Sequence, residues 1–209
     1  MKKLLLVSMF VFLALGFTQQ AKADFMVDPA PGGLSLYIDI ANKDASSFTG
    51  YVGGNSNTFP AVSVKTQGLV DTGSGYANIK PVKDGTLTDL IFTPSKPLLF
   101  GDFSFRGQLA AVGDITVKVW DSPSDFQSFT FSIGNAKQDF DRIGIVAVQG
   151  SLETIFKVQI LGGFDEVKQI NFSNATPGGP GTSVPEPGTL LLLGFGLLGL
   201  VGVARRRMK

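Results

Sequence analysis

Residues 102–133 read DFSFRGQLAAVGDITVKVWDSPSDFQSFTFSI, and three short runs within them alternate apolar and polar side chains. Phe103 and Phe105 share one face of the first run, Ile115, Val117 and Val119 one face of the second, and Phe129, Phe131 and Ile133 one face of the third. Successive side chains of a strand point to opposite faces, so each run predicts a strand with one buried side. The stretches between them hold Gly, Pro, Ser and Asp, the residues that turns use.

The same pattern extends outward. LSLYIDI (34–40) puts Leu34, Leu36, Ile38 and Ile40 on one face, TIFKVQI (154–160) does so with Phe156, Val158 and Ile160, and VKQINFS (167–173) reads as a last strand. Strand-like segments near residues 34, 60, 76, 87, 103, 115, 128, 143, 155 and 168 recur every 10–15 residues or so, with no sustained helical periodicity. The expectation for residues 24–175 is an all-β domain, an antiparallel β-sandwich of about eight to ten strands with jelly-roll or immunoglobulin-like topology. A closed barrel is the runner-up. Fourteen phenylalanines between Phe25 and Phe172 supply its core, each buried ring contributing about 2–3 kcal/mol.

Composition narrows the chemistry. The 209-residue chain has no cysteine and no histidine, which excludes disulfides, thiol nucleophiles, His-bearing triads and the usual zinc, haem and copper sites. Its formal charge of +1 comes from basic termini; residues 24–184 carry eleven basic against sixteen acidic groups, a net of −5. An acidic body argues against nucleic acid as a partner.

The ends are unlike the middle. MKKLLLVSMFVFLALGFTQQAKA (1–23) opens on Lys2 and Lys3, continues with an apolar run from Leu4 to Phe17 and closes on Ala21-Lys22-Ala23. That is the three-part form of a secretory signal, a short signal helix followed by small residues for the peptidase, with cleavage after Ala23 and a mature chain starting at Asp24. At the other end, TPGGPGTSV (176–184) reads as a flexible linker. Val184, Pro185, Glu186 and Pro187 follow, then an apolar run over 188–204 and a basic cluster at Arg205, Arg206 and Arg207. Pro185 and Pro187 keep the motif extended, as a peptidase substrate would be. The run from Gly188 to Ala204 predicts a single transmembrane helix, and the arginines hold its end in the cytoplasm.

This order of motif, helix and arginines over residues 185–209 resembles the PEP-CTERM sorting tail. The resemblance implies recognition by exosortase, an integral-membrane protease that cuts near the Pro-Glu-Pro motif, with Val184, Pro185, Glu186 and Pro187 as the sorting motif and Arg205–Arg207 as the cytoplasmic stop. It also implies a Gram-negative bacterium, an exopolysaccharide or biofilm setting, and a product that is anchored through the uncleaved helix before release to the cell surface or medium. The plain alternative is a tail that is never cut. The segment from Asp89 to Ser173 is similar in pattern to the bodies of other PEP-CTERM proteins, which adds no catalytic residue.

Sites within the domain are few, and the expectation is a protein that is not an enzyme and needs no cofactor. Acidic pairs at Asp121 and Asp125, Asp139 and Asp141, and Asp165 and Glu166 read first as solvated turns, with calcium left open because no EF-hand spacing is present. Trp120 lies on the face opposite Val117 and Val119, where an exposed ring with Tyr37, Tyr51 or Tyr76 would stack on sugar; packing under a loop is the plainer reading. Arg106, opposite Phe103 and Phe105, is expected in solvent or in an ion pair. A glycoside hydrolase needs two positioned carboxyls, and nothing in the spacing of Glu153, Glu166 and the aspartates selects a pair.

Overall fold

The computed structural model describes residues 25–174 apart from 55–58, 84, 97–99 and 149–153. Strands β1 (Phe25–Val27), β2 (Leu34–Ile38), β3 (Asn42–Val52), β4 (Ala61–Thr72), β5 (Gly75–Tyr76) and β6 (Asn78–Pro81) form the first half. The second half comprises β7 (Leu87–Pro94), β8 (Phe100–Leu109), β9 (Gly113–Trp120), β10 (Phe126–Ile133), β11 (Ile143–Ala147) and β12 (Lys157–Asn174). The described residues contain no helix, and thus none long and apolar enough to cross a membrane. The signal helix and the 188–204 helix lie outside the described residues.

The fold is all-β and antiparallel, but the strands are not divided between two separate sheets. They form one twelve-stranded hydrogen-bonded sheet. From β12 the ladders run to β2, β3, β4 and β7 and return to β12, a barrel-like closure with further strands attached. The closure depends on the 18-residue β12. Residues 157–161 of that strand hold β7 and β9; after a register shift between Leu161 and Phe164, the remainder pairs with β8, β6 and β2. The shift contains Gly162 and Gly163, and a bulge of this kind bends a strand and raises its twist. One strand therefore serves both sides of the molecule.

The interior is aromatic. Phe92, Phe103 and Phe172 are each 1% exposed or less and meet at ring separations of 5.2–6.4 Å, with Phe100, Phe105 and Phe164 extending the cluster. Ile115, Val117 and Val119 are fully buried, as their alternation predicts. Phe129, Phe131 and Ile133 are only partly buried, because β10 pairs with β9 alone and sits at an edge. Of the face expected at 34–40, Leu36 and Ile38 are buried, whereas Leu34 is 45% and Ile40 78% exposed. The strand ends at Ile38, so alternation stops there. Val158 and Ile160 are buried as expected, but Phe156 precedes β12 and yields the core position to Ile155.

Candidate ligand-binding groove

Trp120 does not present an open ring. It is 9% exposed. It stands in register with Phe126 on β10 and with Lys157 on β12, the two strands that flank β9. Phe126 packs at 5.0 Å between ring centres, and Lys157 Nζ lies 3.7 Å from the Trp120 ring centre. A cation over an indole face is attracted by the ring quadrupole, so Lys157 covers the surface a sugar would use. The tyrosines, meanwhile, lie on β2, β3 and β5; β2 and β9 both pair with β12, but at opposite ends of it, residues 171–172 and 157–161.

Those tyrosines are brought together. Tyr37 on β2 is registered with Tyr51 on β3 at one edge and with Tyr76 on β5 at the other. Directly opposed residues share a face, so all three tyrosines of the chain form one cross-strand row. Leu36, Ile38 and Val52, which alternate with them, point into the core. Tyr37 and Tyr76 meet edge to face at 6.1 Å, and Tyr76 is 74% exposed.

A groove of about 400 Å³ opens beside Tyr76, with Ser35, Asn78, Arg142, Lys168, Gln169 and Asn171 on its walls. A register shift between Lys168 and Asn171 shapes its floor, with Gln169 in the left-handed region at φ 49°. Such a conformation costs a non-glycine residue free energy and often marks a functional position. Here it turns Gln169 toward Arg142: Arg142 Nη2 donates to Gln169 Oε1 at 3.2 Å, and Nη1 donates to the Gln169 carbonyl at 3.4 Å and to Ser104 Oγ at 3.0 Å. With its amide oriented to match its neighbours, Asn171 accepts from Arg142 Nη1 at 2.8 Å and donates to Ser35 Oγ at 3.0 Å.

The charges on this face are unevenly matched. Lys168 Nζ lies 2.9 Å from Asp139 Oδ1 and 3.1 Å from Glu166 Oε2; Glu166 also accepts from Asn78 Nδ2 at 2.7 Å and faces Lys80 Nζ at 3.3 Å. Burial pushes the Glu166 carboxyl up, but the hydrogen bonds from Lys168 and Asn78 and the two lysine charges outweigh it and hold it below the usual range. Asp139 is also held low, first by its Lys168 hydrogen bond and then by Gln108, and Lys168 is raised, first by Asp139. Arg142 differs. No carboxylate among the described residues lies within salt-bridge distance of it, and burial together with the nearby Arg106 charge pushes its guanidinium below the ordinary value. Arg106, expected in solvent or paired, is half-buried with its Nε lacking an acceptor.

The acidic pairs do not assemble. Among the described residues no group of three or more carboxylates is placed to hold a metal ion. Asp139 and Glu166, from different pairs, are instead joined through Lys168. Asp121 has one oxygen buried without a partner, Asp125 donates its backbone N–H to Ser122 Oγ, and Asp141 is exposed. The targeting residues Ala21, Ala23, Asp24, Val184, Pro185, Glu186, Pro187 and Arg205–Arg207 lie outside the described residues.

A family model described as the PEP-CTERM protein-sorting motif matches residues 183–207. The chain is therefore a PEP-CTERM domain-containing protein, and the motif marks it as exported and sorted to the surface. No curated protein matches it. Among solved structures it is similar to an arabinose-bound α-L-arabinofuranosidase at 9% identity, over 75% of this chain and 27% of that one, with a TM-score of 0.29. Two family 29 carbohydrate-binding module variants align at 14% and 17% identity, over 70% of this chain and 91% and 92% of theirs, with TM-scores of 0.20 and 0.19. The chain spans about a quarter of the length of the arabinofuranosidase, and TM-scores this low do not establish a shared fold.

Proposed function

We propose that this protein is a non-enzymatic component of the cell surface or extracellular matrix, made as a precursor and processed at its C-terminal tail by exosortase. The observation that carries the reading is the sorting motif over residues 183–207. The Pro-Glu-Pro segment would be taken up in extended form, because each proline fixes φ near −65° and disfavours helix. The apolar run over 188–204 would hold the substrate in the membrane until cleavage, with Arg205–Arg207 on the cytoplasmic side. Changing both Pro185 and Pro187 to alanine in the producing strain should leave an uncut, membrane-bound form. Release at unchanged mass and yield from that variant would reject exosortase processing.

A second reading, favoured by the tyrosine row and the groove beside it, is carbohydrate binding. Aromatic faces beside amides and hydroxyls suit the apolar and hydroxylated surfaces of a sugar ring. Trp120, enclosed by Lys157 and Phe126, is not part of this reading. Among the described residues the Glu166 and Asp139 carboxylates are brought together by Lys168, but both are held below the usual range, which does not suit the protonated acid a hydrolase needs.

A further inference from the structure

Arg142 is the unusual group of the groove. Its Nη1 is shared among Ser104, Gln169 and Asn171, and one Nη2 proton goes to Gln169, all neutral acceptors. Guanidinium carries five N–H donors, so its Nε–H and one Nη2 proton have no acceptor among the described residues. Of the other cations near this face, Lys168 has two carboxylates and Lys80 one, while Arg106 has none but does not line the groove. A half-buried cation with donors to spare, at the wall of a concave polar site, is matched by an anionic oxygen pair from outside.

Tyr76 adds the second half of the recognition. Its ring is 74% exposed at the mouth of the same groove and continues the line of Tyr37 and Tyr51. The row spans two strand spacings, about 10 Å, which suits a short chain of rings better than a single small anion. Asn78, Ser35 and Asn171 add hydrogen-bonding groups between the row and the guanidinium.

We infer that this groove binds an acidic oligosaccharide, with a sugar ring against Tyr76 and a uronate-type carboxylate on Arg142. This rests on the carbohydrate-binding reading and narrows it to a charged ligand class. No bond is made or broken. Lys168 stays with its own carboxylates and orders the floor, whereas Arg142 supplies the charge that separates acidic from neutral chains.

Calorimetric titration of the exported protein with an oligogalacturonate and with a neutral galacto-oligosaccharide of equal length tests it. The expected result is binding of the acidic probe, weakening with added salt, with at least a tenfold or so loss of affinity in Arg142→Met, since a hydrogen bond to a charged group is worth roughly a factor of ten or more. Tyr76→Ala, at a site too exposed to threaten folding, should weaken both probes. Equal binding of the neutral probe, or an acidic affinity that Arg142→Met leaves unchanged in a protein of unaltered thermal stability, overturns the acidic specificity while leaving carbohydrate binding standing. Binding of neither probe overturns both. Acidic affinity untouched by Tyr76→Ala overturns the placement in this groove.

Discussion

Lys157 holds its ammonium 3.7 Å from the centre of the Trp120 ring, across the ladder between β12 and β9. Trp120 is the one tryptophan of the chain, so its emission reports on this contact directly. Replacing Lys157 with Met keeps an unbranched stem and removes the charge. The expected cost is about 0.5–2 kcal/mol, read as a lower urea midpoint at unchanged slope in Trp120 fluorescence. An unchanged midpoint would mean that the contact contributes nothing. Because the tyrosine row lies elsewhere in the sheet, saccharide added to the folded protein should leave this emission unaltered.

Lys168 joins Asp139 and Glu166, and the directions of their ionisation set a pH window. Both carboxyls are held low, so their contribution to stability is complete above the ordinary carboxylate range, about pH 4 to 4.5, and is lost as pH falls through the lower folded-state values. Lys168 is raised, so its part is complete below about pH 10.4 and is lost as pH rises through the higher folded-state value. Lys168→Met should lower stability near neutrality, by an amount that solvent screening keeps small, because Glu166 keeps Asn78 and Lys80 but loses a charged partner. Melting temperatures of the two proteins should converge toward pH 2; a constant gap across pH would show that the cluster is not the cause.

The aromatic interior should be the most sensitive part of the domain. Phe103 touches Phe92, Phe105 and Phe172 and is 1% exposed. Phe103→Ala should cost about 3–5 kcal/mol, whereas Phe126→Ala, at a 44% exposed edge position, should cost well under half of that. Chemical denaturation of both variants checks the ranking, and equal losses would contradict the assignment of the core.

Much of this fold is legible in the sequence because its interior strands obey alternation. Ile115, Val117 and Val119 repeat every second residue and are buried. The strand β3, NKDASSFTGYV, escapes such a reading: its exposed polar residues carry no periodic pattern, and it is held by β4 through a ladder with two register shifts. Closure is foreseen only as the runner-up, a closed barrel, because 154–160 and 167–173 read as two separate strands, and only the non-local pairing of β12 shows them joined through a bulge at Gly162-Gly163. The site divides in the same way. The targeting motifs are contiguous and therefore visible, while the tyrosine row joins residues 37, 51 and 76 through strand register, and Arg142 reaches Gln169 from a loop. Trp120 follows Val119 and alternates with it, but what covers its ring, Phe126 and Lys157, comes from β10 and β12.

Gly107 tests the packing of β8 on β12. A Cβ at this position would run into the Glu166 carbonyl and come within 3.3 Å of the Phe140 ring. Gly107→Ala should therefore cost about 1–3 kcal/mol, seen as a fall in melting temperature, with any loss of saccharide affinity following unfolding and not preceding it. A neutral substitution would show that the two strands can separate without penalty.

The proposed role depends on processing of both chain ends, and the intact mass of the protein recovered from the producing cell's surface or medium measures it. The predicted species begins at Asp24 and ends near Pro185–Pro187, with neither the 1–23 signal nor the tail through Lys209. A recovered protein whose mass includes the whole tail to Lys209 would contradict it.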